Sequence, residues 1–141
     1  MSEEMAQRFT ASQNVHGLLG VQIVELTPER VVLSVEVGPK VHQPYGILHG
    51  GVSALLAESA ASVGGALSIG ADQIVVGTEL NCSHLRSMAS GTLIATATPI
   101  RRGQRVHVWA IDLTDQEGRQ ICVARCTLQV LPAPSSTEST T

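Results

Sequence analysis

The segment His42-Gln43-Pro44-Tyr45-Gly46-Ile47-Leu48-His49-Gly50-Gly51 runs straight into a long apolar stretch that carries Glu58 and Ser62. Glu58 lies among Ala57, Ala60 and Ala61, and nothing else from Gly50 to Gly70 is charged. An unpaired carboxylate on an apolar helix is costly to bury, so its presence there marks a candidate site. The plainer alternative is a solvent-facing stripe, which would be a thin one. Ser62, four residues on, shares a helix face with Glu58 and can hydrogen-bond it, a water or a substrate. At the helix start, His49, Gly50 and Gly51 offer none of the usual capping types, Ser, Thr, Asp or Asn. The first backbone N–H groups then lack an obvious partner. At the positive end of a helix dipole they suit an oxyanion; a tight turn with water on the N–H groups is the plainer alternative. Gly50 and Glu58 are eight residues apart, about 12 Å at the helical rise. One reacting carbonyl can hardly touch both within one chain. Two antiparallel copies of the helix across a twofold axis would bring Glu58 of one chain to Gly50 of the other.

The elements that must position these residues follow from the apolar pattern. Residues 3–13 predict a short helix, and 21–26 and 31–37 predict strands. In the second strand Val31, Leu33, Val35 and Val37 point one way and Val32, Ser34 and Glu36 the other. A loop over 38–48 precedes the one long helix, 50–69. Its adjacent Gly64 and Gly65 are poor helix formers, so the helix must be held by tertiary contacts, wrapped by a sheet that comes close. Four more strands are expected over 74–86, 92–100, 105–114 and 119–131. The breaks between them are short and hold a Gly each, which predicts antiparallel hairpins. Along 74–86, Ile74, Val76, Thr78, Leu80 and Cys82 form one face that ends in His84 and Arg86. The whole is an α+β architecture, one sheet with one long helix, whose unpaired edge strands invite dimerisation. One domain spans 1–131, with 1–16 as a helical extension, and 132–141, rich in Pro, Ser and Thr, reads as a disordered tail.

Composition excludes several classes. The 141 residues fit one domain and bury a core without staples. Only 2% are aromatic (Phe9, Tyr45 and Trp109), so Val, Leu, Ile and Ala must build that core. A net charge of −3 argues against a general nucleic-acid binder. Arg86, Arg101, Arg102 and Arg105 lie in neighbouring segments and offer one local anion site. Cys82, Cys122 and Cys126, odd in number and without a C-x-x-C pair, fit neither a disulfide framework nor a zinc site. Cys122 and Cys126 share a strand face with Ala124, Leu128 and Val130, as small core residues do. The acidic start Met1-Ser2-Glu3-Glu4 has no apolar signal region, and no stretch reads as a membrane span. A reducing cytoplasm is the expected location.

The run "QPYGILHGGVSALLAE" from Gln43 to Glu58 resembles the signature of the hotdog-fold thioesterases. It is most similar to the branch holding 4-hydroxybenzoyl-CoA thioesterase of the Arthrobacter type, the PaaI-like enzymes and 1,4-dihydroxy-2-naphthoyl-CoA thioesterase. The likeness extends from Gly17 to Val130 through "VVGTELNCSHLRS", "GQRVHVW" and "DQEGR". A lone H-G-G carries little; the spacing Gln43, His49-Gly50, Glu58, then Asn81-x-x-His84-x-Arg86, is specific. The resemblance implies a sheet wrapped around a central helix and hydrolysis of an acyl-CoA, with an aromatic acyl group favoured. It implies Glu58 as nucleophile or general base, the Gly50 N–H on the carbonyl oxygen, Gln43 and His49 orienting the thioester, and Ser62 beside Glu58. His84 and Arg86 would contact the CoA nucleotide, with Arg102 and Arg105 as vaguer candidates, although exposed arginines in a hairpin are usually only solvated. No metal or organic cofactor is implied. The partner is a second copy in a homodimer sharing its active sites, assembled into a homotetramer. Tyr45 departs from the usual Phe or Trp, and its hydroxyl would change what the acyl pocket accepts. The rival reading is a non-catalytic acyl-CoA-binding regulatory module of the same fold.

Overall fold

The computed structural model describes residues 3–135. The elements in order are α1 (Glu3–Phe9), α2 (Val15–Leu19), β1 (Gln22–Leu26), β2 (Val31–Val37), a 3-10 turn (Pro39–Val41), α3 (Gly50–Ala66), β3 (Gln73–His84), β4 (Gly91–Arg102), β5 (Val106–Thr114) and β6 (Gln120–Pro132). The six strands form one antiparallel sheet in the order β1-β2-β4-β5-β6-β3. The sheet closes around α3, which packs against β2 through β6. This is the expected hotdog arrangement.

Alternation places the core. Val31, Leu33, Val35 and Val37 of β2 are buried against the helix, and Val32, on the opposite face, is buried as well. Along β6, Cys122, Ala124, Cys126 and Leu128 point inward. Burial pushes the Cys122 and Cys126 thiols up to about 12, and the half-buried Cys82 thiol is raised for the same reason. The β5–β6 turn closes on Asp115, whose carboxylate accepts from the Glu117 and Arg119 N–H groups at 3.0 and 2.9 Å and pairs with the Arg119 guanidinium at 2.6 Å. Burial alone would raise that carboxyl; the Arg119 and Glu117 bonds outweigh it and hold it below its ordinary value.

Gly64 and Gly65 show why α3 tolerates them. A Cβ on Gly64 would lie 2.5 Å from the Trp109 indole, and one on Gly65 2.5 Å from Leu128 Cδ1. Side chains of the sheet, rather than its backbone, occupy the space. Gly64→Ala is therefore expected to lower stability by about 1–2 kcal/mol. The gain in helix propensity is about 1 kcal/mol, but overpacking at 2.5 Å against a fully buried Trp109 costs roughly 2–3 kcal/mol, the upper part of the usual range. The check is the urea midpoint; a midpoint equal to or above wild type would show that the indole yields freely.

Several boundaries differ from expectation. The first helix stops at Phe9, and a second follows over Val15–Leu19, capped by Asn14, whose side chain accepts from the Gly17 N–H at 3.0 Å. α3 ends at Ala66, where Ser68 Oγ donates to the Gly64 carbonyl at 2.8 Å. β6 continues to Pro132, which takes that residue out of the expected tail; residues 136–141 lie outside the described residues. The larger correction concerns Ala89-Ser90-Gly91, which is no hairpin turn. β3 pairs with β6, and β4 pairs with β2 and β5. The segment between β3 and β4 crosses the sheet end instead. It is pinned by Leu85 N–H to Ile121 O at 2.8 Å and by Leu48 N–H to Met88 O at 2.7 Å, with Met88 buried.

Candidate active site

The loop before α3 is built to hold one shape. The Gln43 and Ile47 backbones bond at 2.8 Å, and Gly46 N–H donates to Gln43 O at 3.0 Å. The Gln43 side chain accepts from the Tyr45 N–H. His42 Nε2 lies 2.8 Å from Ala89 O, tying the loop to the crossing segment. His49 then begins α3. Its Nδ1 accepts from the Gly51 N–H at 2.8 Å, and its own N–H donates to Val41 O at 2.8 Å. The expectation of an uncapped helix start is thereby corrected, because imidazole serves as the capping acceptor. That bond requires the tautomer with its proton on Nε2. The Gly50 N–H makes no hydrogen bond among the described residues.

Gly50 faces a cavity of about 370 Å³ lined by Gln43, Ser53, His84, Arg86 and the apolar Ile47 and Ile121. The His84 ring packs directly over it, with Nε2 3.0 Å from where a Gly50 Cβ would sit. The structure thus brings Gln43, Gly50, His84 and Arg86, all singled out in the sequence, to one cavity. The crossing segment, tied to both the loop and β6, delivers them to one place.

Glu58 lies elsewhere. Its side chain is exposed in the single chain and lines a second cavity with Ser62 and Ser59. The buried carboxylate expected from the thin polar stripe is thus corrected: α3 turns this part of its surface out of the sheet's grip. Glu58 and Ser62 make no hydrogen bond with each other among the described residues. The Glu58 carboxylate lies over Gly77, where a Cβ would come within 2.3 Å of Oε1.

Gly77 begins an irregularity in β3. Gly77 pairs with Leu128 and Glu79 with Thr127, leaving Thr78 as an extra residue whose Oγ1 bonds Thr127 O at 3.2 Å. A bulge exchanges the faces of a strand beyond it. The single face expected from Ile74 to Cys82 is therefore split: Ile74 and Val76 are exposed, whereas Leu80 and Cys82 pack on the core. A glycine inside a strand pattern signals a bulge or a close approach, and Gly77 marks both. Because the obstructing atom is the tip of a flexible side chain, Gly77→Ala should leave stability within about 0.5 kcal/mol. It should lower kcat by about 10- to 100-fold by displacing the carboxylate. Steady-state kinetics beside thermal melts check this; wild-type kcat would mean the carboxylate position is unimportant.

The expected arginine cluster does not form within the chain. Arg86 belongs to the Gly50 cavity, whereas Arg102 and Arg105 line a different one, of about 590 Å³, with Ser68, Gln73 and His107. Arg102 donates to Pro28 O at 3.1 Å and pairs with Glu29 at 3.6 Å. Register explains the separation. His84 pairs with Cys122 and His107 with Leu128, six residues apart along β6, about 20 Å. Burial holds the His107 imidazole below its ordinary value, against a Gly103 backbone bond and with Arg102 adding to the effect. The Tyr45 side chain is 90% exposed, so it walls an acyl pocket only where a second chain covers it.

Sequence reasoning missed the N-terminal residues beside Glu58. Met5, Phe9 and His16 line the Glu58 cavity. The only signal was the four-residue spacing of Met5 and Phe9 in an otherwise polar helix. Among the described residues no cluster of His, Cys, Asp and Glu could hold a metal, and no helix is long and apolar enough to cross a membrane.

The chain is similar to known proteins in both sequence and fold. Residues 45–122 match the model of the thioesterase superfamily. The chain is 47% identical over 112 residues to the 1,4-dihydroxy-2-naphthoyl-CoA hydrolase of Listeria monocytogenes, covering 79% of this chain and 91% of that one. It is 35% identical over 113 residues to the proofreading thioesterase EntH of Cronobacter turicensis, covering 80% and 82%. Among solved structures, a Haemophilus influenzae thioesterase superposes with a TM-score of 0.89 at 33% identity, covering 98% and 96%. With its sheet-wrapped helix and a matching sequence through the loop, the helix and the strands, this chain belongs to the thioesterase superfamily.

Proposed function

We propose that the protein hydrolyses acyl-CoA thioesters, aromatic ones preferentially, to the free acid and CoA, in sites shared across a twofold homodimer that assembles further into a tetramer. The observation that carries this reading is the Gly50 N–H, unspent at the start of α3 and facing the cavity that also holds His84, Gln43 and Arg86. A thioester carbonyl seated there gains a donor for the negative charge that develops on oxygen. Glu58 acts on the carbonyl carbon, either directly, forming an anhydride that water opens, or by taking a proton from the attacking water. Gln43 and His49 orient the thioester, Ser62 holds the water or the carboxylate, and His84 with Arg86 receives the CoA at the mouth. Arg102 and Arg105 reach a CoA phosphate only if the assembly brings their cavity to a neighbouring site.

The dimer is supported by the separation of the two halves. Gly50 and Glu58 line different cavities in one chain, and β3, beside Glu58, is an edge strand with Ile74 and Val76 exposed. Unprotected edges of this length pair with another chain. The preference for aromatic acyl groups is supported by relatives named as a dihydroxynaphthoyl-CoA hydrolase. A non-catalytic binder of the same fold would have no use for a carboxylate beside the reacting carbonyl. The test is CoA release across aromatic and aliphatic acyl-CoAs by wild type and Glu58→Gln. Turnover lost in the variant supports the reading, and wild type inert toward every ester overturns it.

A further inference from the structure

The N-terminal helices offer an apolar surface that the chain does not finish burying. α1 buries none of its seven residues. Its Met5 and Phe9, four apart and hence on one helix face, are turned to α3, where they line a cavity of about 270 Å³ with His16, Glu58, Ser59 and Ser62. A helix this short does not hold its shape alone. It is held through α2: His16 Nε2 lies 2.7 Å from Ser59 Oγ, and the Phe9 ring stacks on the His16 imidazole with centroids 3.9 Å apart and planes at 21°. Burial lowers the His16 pKa, which favours the neutral ring. A contact chain thus runs from α3, one residue past Glu58, through Ser59 and His16 to Phe9.

We propose that this cavity is the acyl subsite, that Phe9 selects flat aromatic acyl groups there, and that His16 is a positioning residue holding Phe9 in place. The inference rests on the reading of Glu58 as the hydrolytic carboxylate. A thioester carbonyl in reach of Glu58 must send its acyl carbons along the surface beside that carboxylate, and this cavity is what lies there. Its size fits: an apolar cavity of about 150 Å³ takes up benzene, so 270 Å³ admits one or two fused rings. Its chemistry fits as well, because an aromatic wall rewards a ring beyond the area buried. The occupant is therefore an aryl group, and α1 is its lid-side wall.

The test is kcat/KM for benzoyl-CoA and for acetyl-CoA, measured with the full-length wild type, Glu58→Gln, Phe9→Ala, Phe9→Leu and His16→Ala. The benzoyl-to-acetyl ratio should fall by about fivefold or more in Phe9→Ala and by a smaller factor in Phe9→Leu, which keeps the bulk and loses the ring. His16→Ala should lower the same ratio, a selectivity change that a merely structural role would not produce. A ratio within about twofold of wild type in both Phe9 variants, with Glu58→Gln inactive, overturns this inference and leaves the hydrolase reading standing. An unchanged ratio with weakened subunit association would assign the surface to a second copy and overturn it too. A wild type inert toward both esters overturns the inference and the hydrolase reading together.

Discussion

Glu58→Gln is expected to lower kcat for an aromatic acyl-CoA by about 10³-fold while leaving KM nearly unchanged. The substitution keeps the size and shape of the side chain, turns one acceptor oxygen into a donor, and removes the charge, basicity and nucleophilicity. Because Glu58 is exposed in the chain and makes no ion pair among the described residues, folding should be indifferent to the change, with stability within about 0.5 kcal/mol. Loss of rate without loss of stability separates a chemical role from a structural one. Release of CoA under saturating substrate, beside a thermal melt, reads both. A variant that keeps more than about a tenth of wild-type kcat would remove Glu58 from the chemistry.

Gly50→Pro is expected to lower kcat by about 10²- to 10³-fold, the range for deleting one oxyanion donor. Proline is suited to this test because Gly50 is the first helical residue, where the missing N–H breaks no helix bond. His49, the residue before it, already has the extended backbone that proline demands, at φ −70 and ψ 128. The added ring carbons require the His84 imidazole, 3.0 Å from the Cβ position, to give by a few tenths of an ångström. Mixing the two inactive variants sharpens the result. If each site takes Glu58 from one chain and Gly50 from the other, half the dimers are mixed and each regains one of two sites. About a quarter of wild-type activity should then return. No recovery on mixing would mean that both groups act from the same chain.

How far the sequence could be read depended on whether a signal was local. The alternation of Val31 to Val37, the single long helix and the inward face of Cys122 to Leu128 were all legible, since each follows from periodicity within one element. The path from Leu85 to Ser90 was not. A short Gly-bearing break looks like a hairpin, and only the pairing of β3 with β6, between residues from 38 (His84 and Cys122) to 59 (Gln73 and Pro132) apart, turns it into a crossing. The His49 cap escaped because histidine is not among the residues expected at that position, although its Nδ1 can accept like an Asp oxygen. The exposed setting of Glu58 escaped because α3 is apolar nearly all round; which part the sheet leaves uncovered is a property of the closed fold. Gly77 was the missed opportunity, since a glycine within a strand-like run is a local signal of the bulge beneath the carboxylate.

The depth of the cysteines bears on how such a protein survives its own reaction. An acyl-CoA is an electrophile toward thiolates, and its hydrolysis liberates a thiol that can form mixed disulfides. Cys122 and Cys126, pushed up to about 12, stay protonated at neutral pH. Cys82, half-buried against the core, is raised too. The two buried thiols are therefore poor nucleophiles toward an acyl-CoA and poor partners for a mixed disulfide with the CoA it releases.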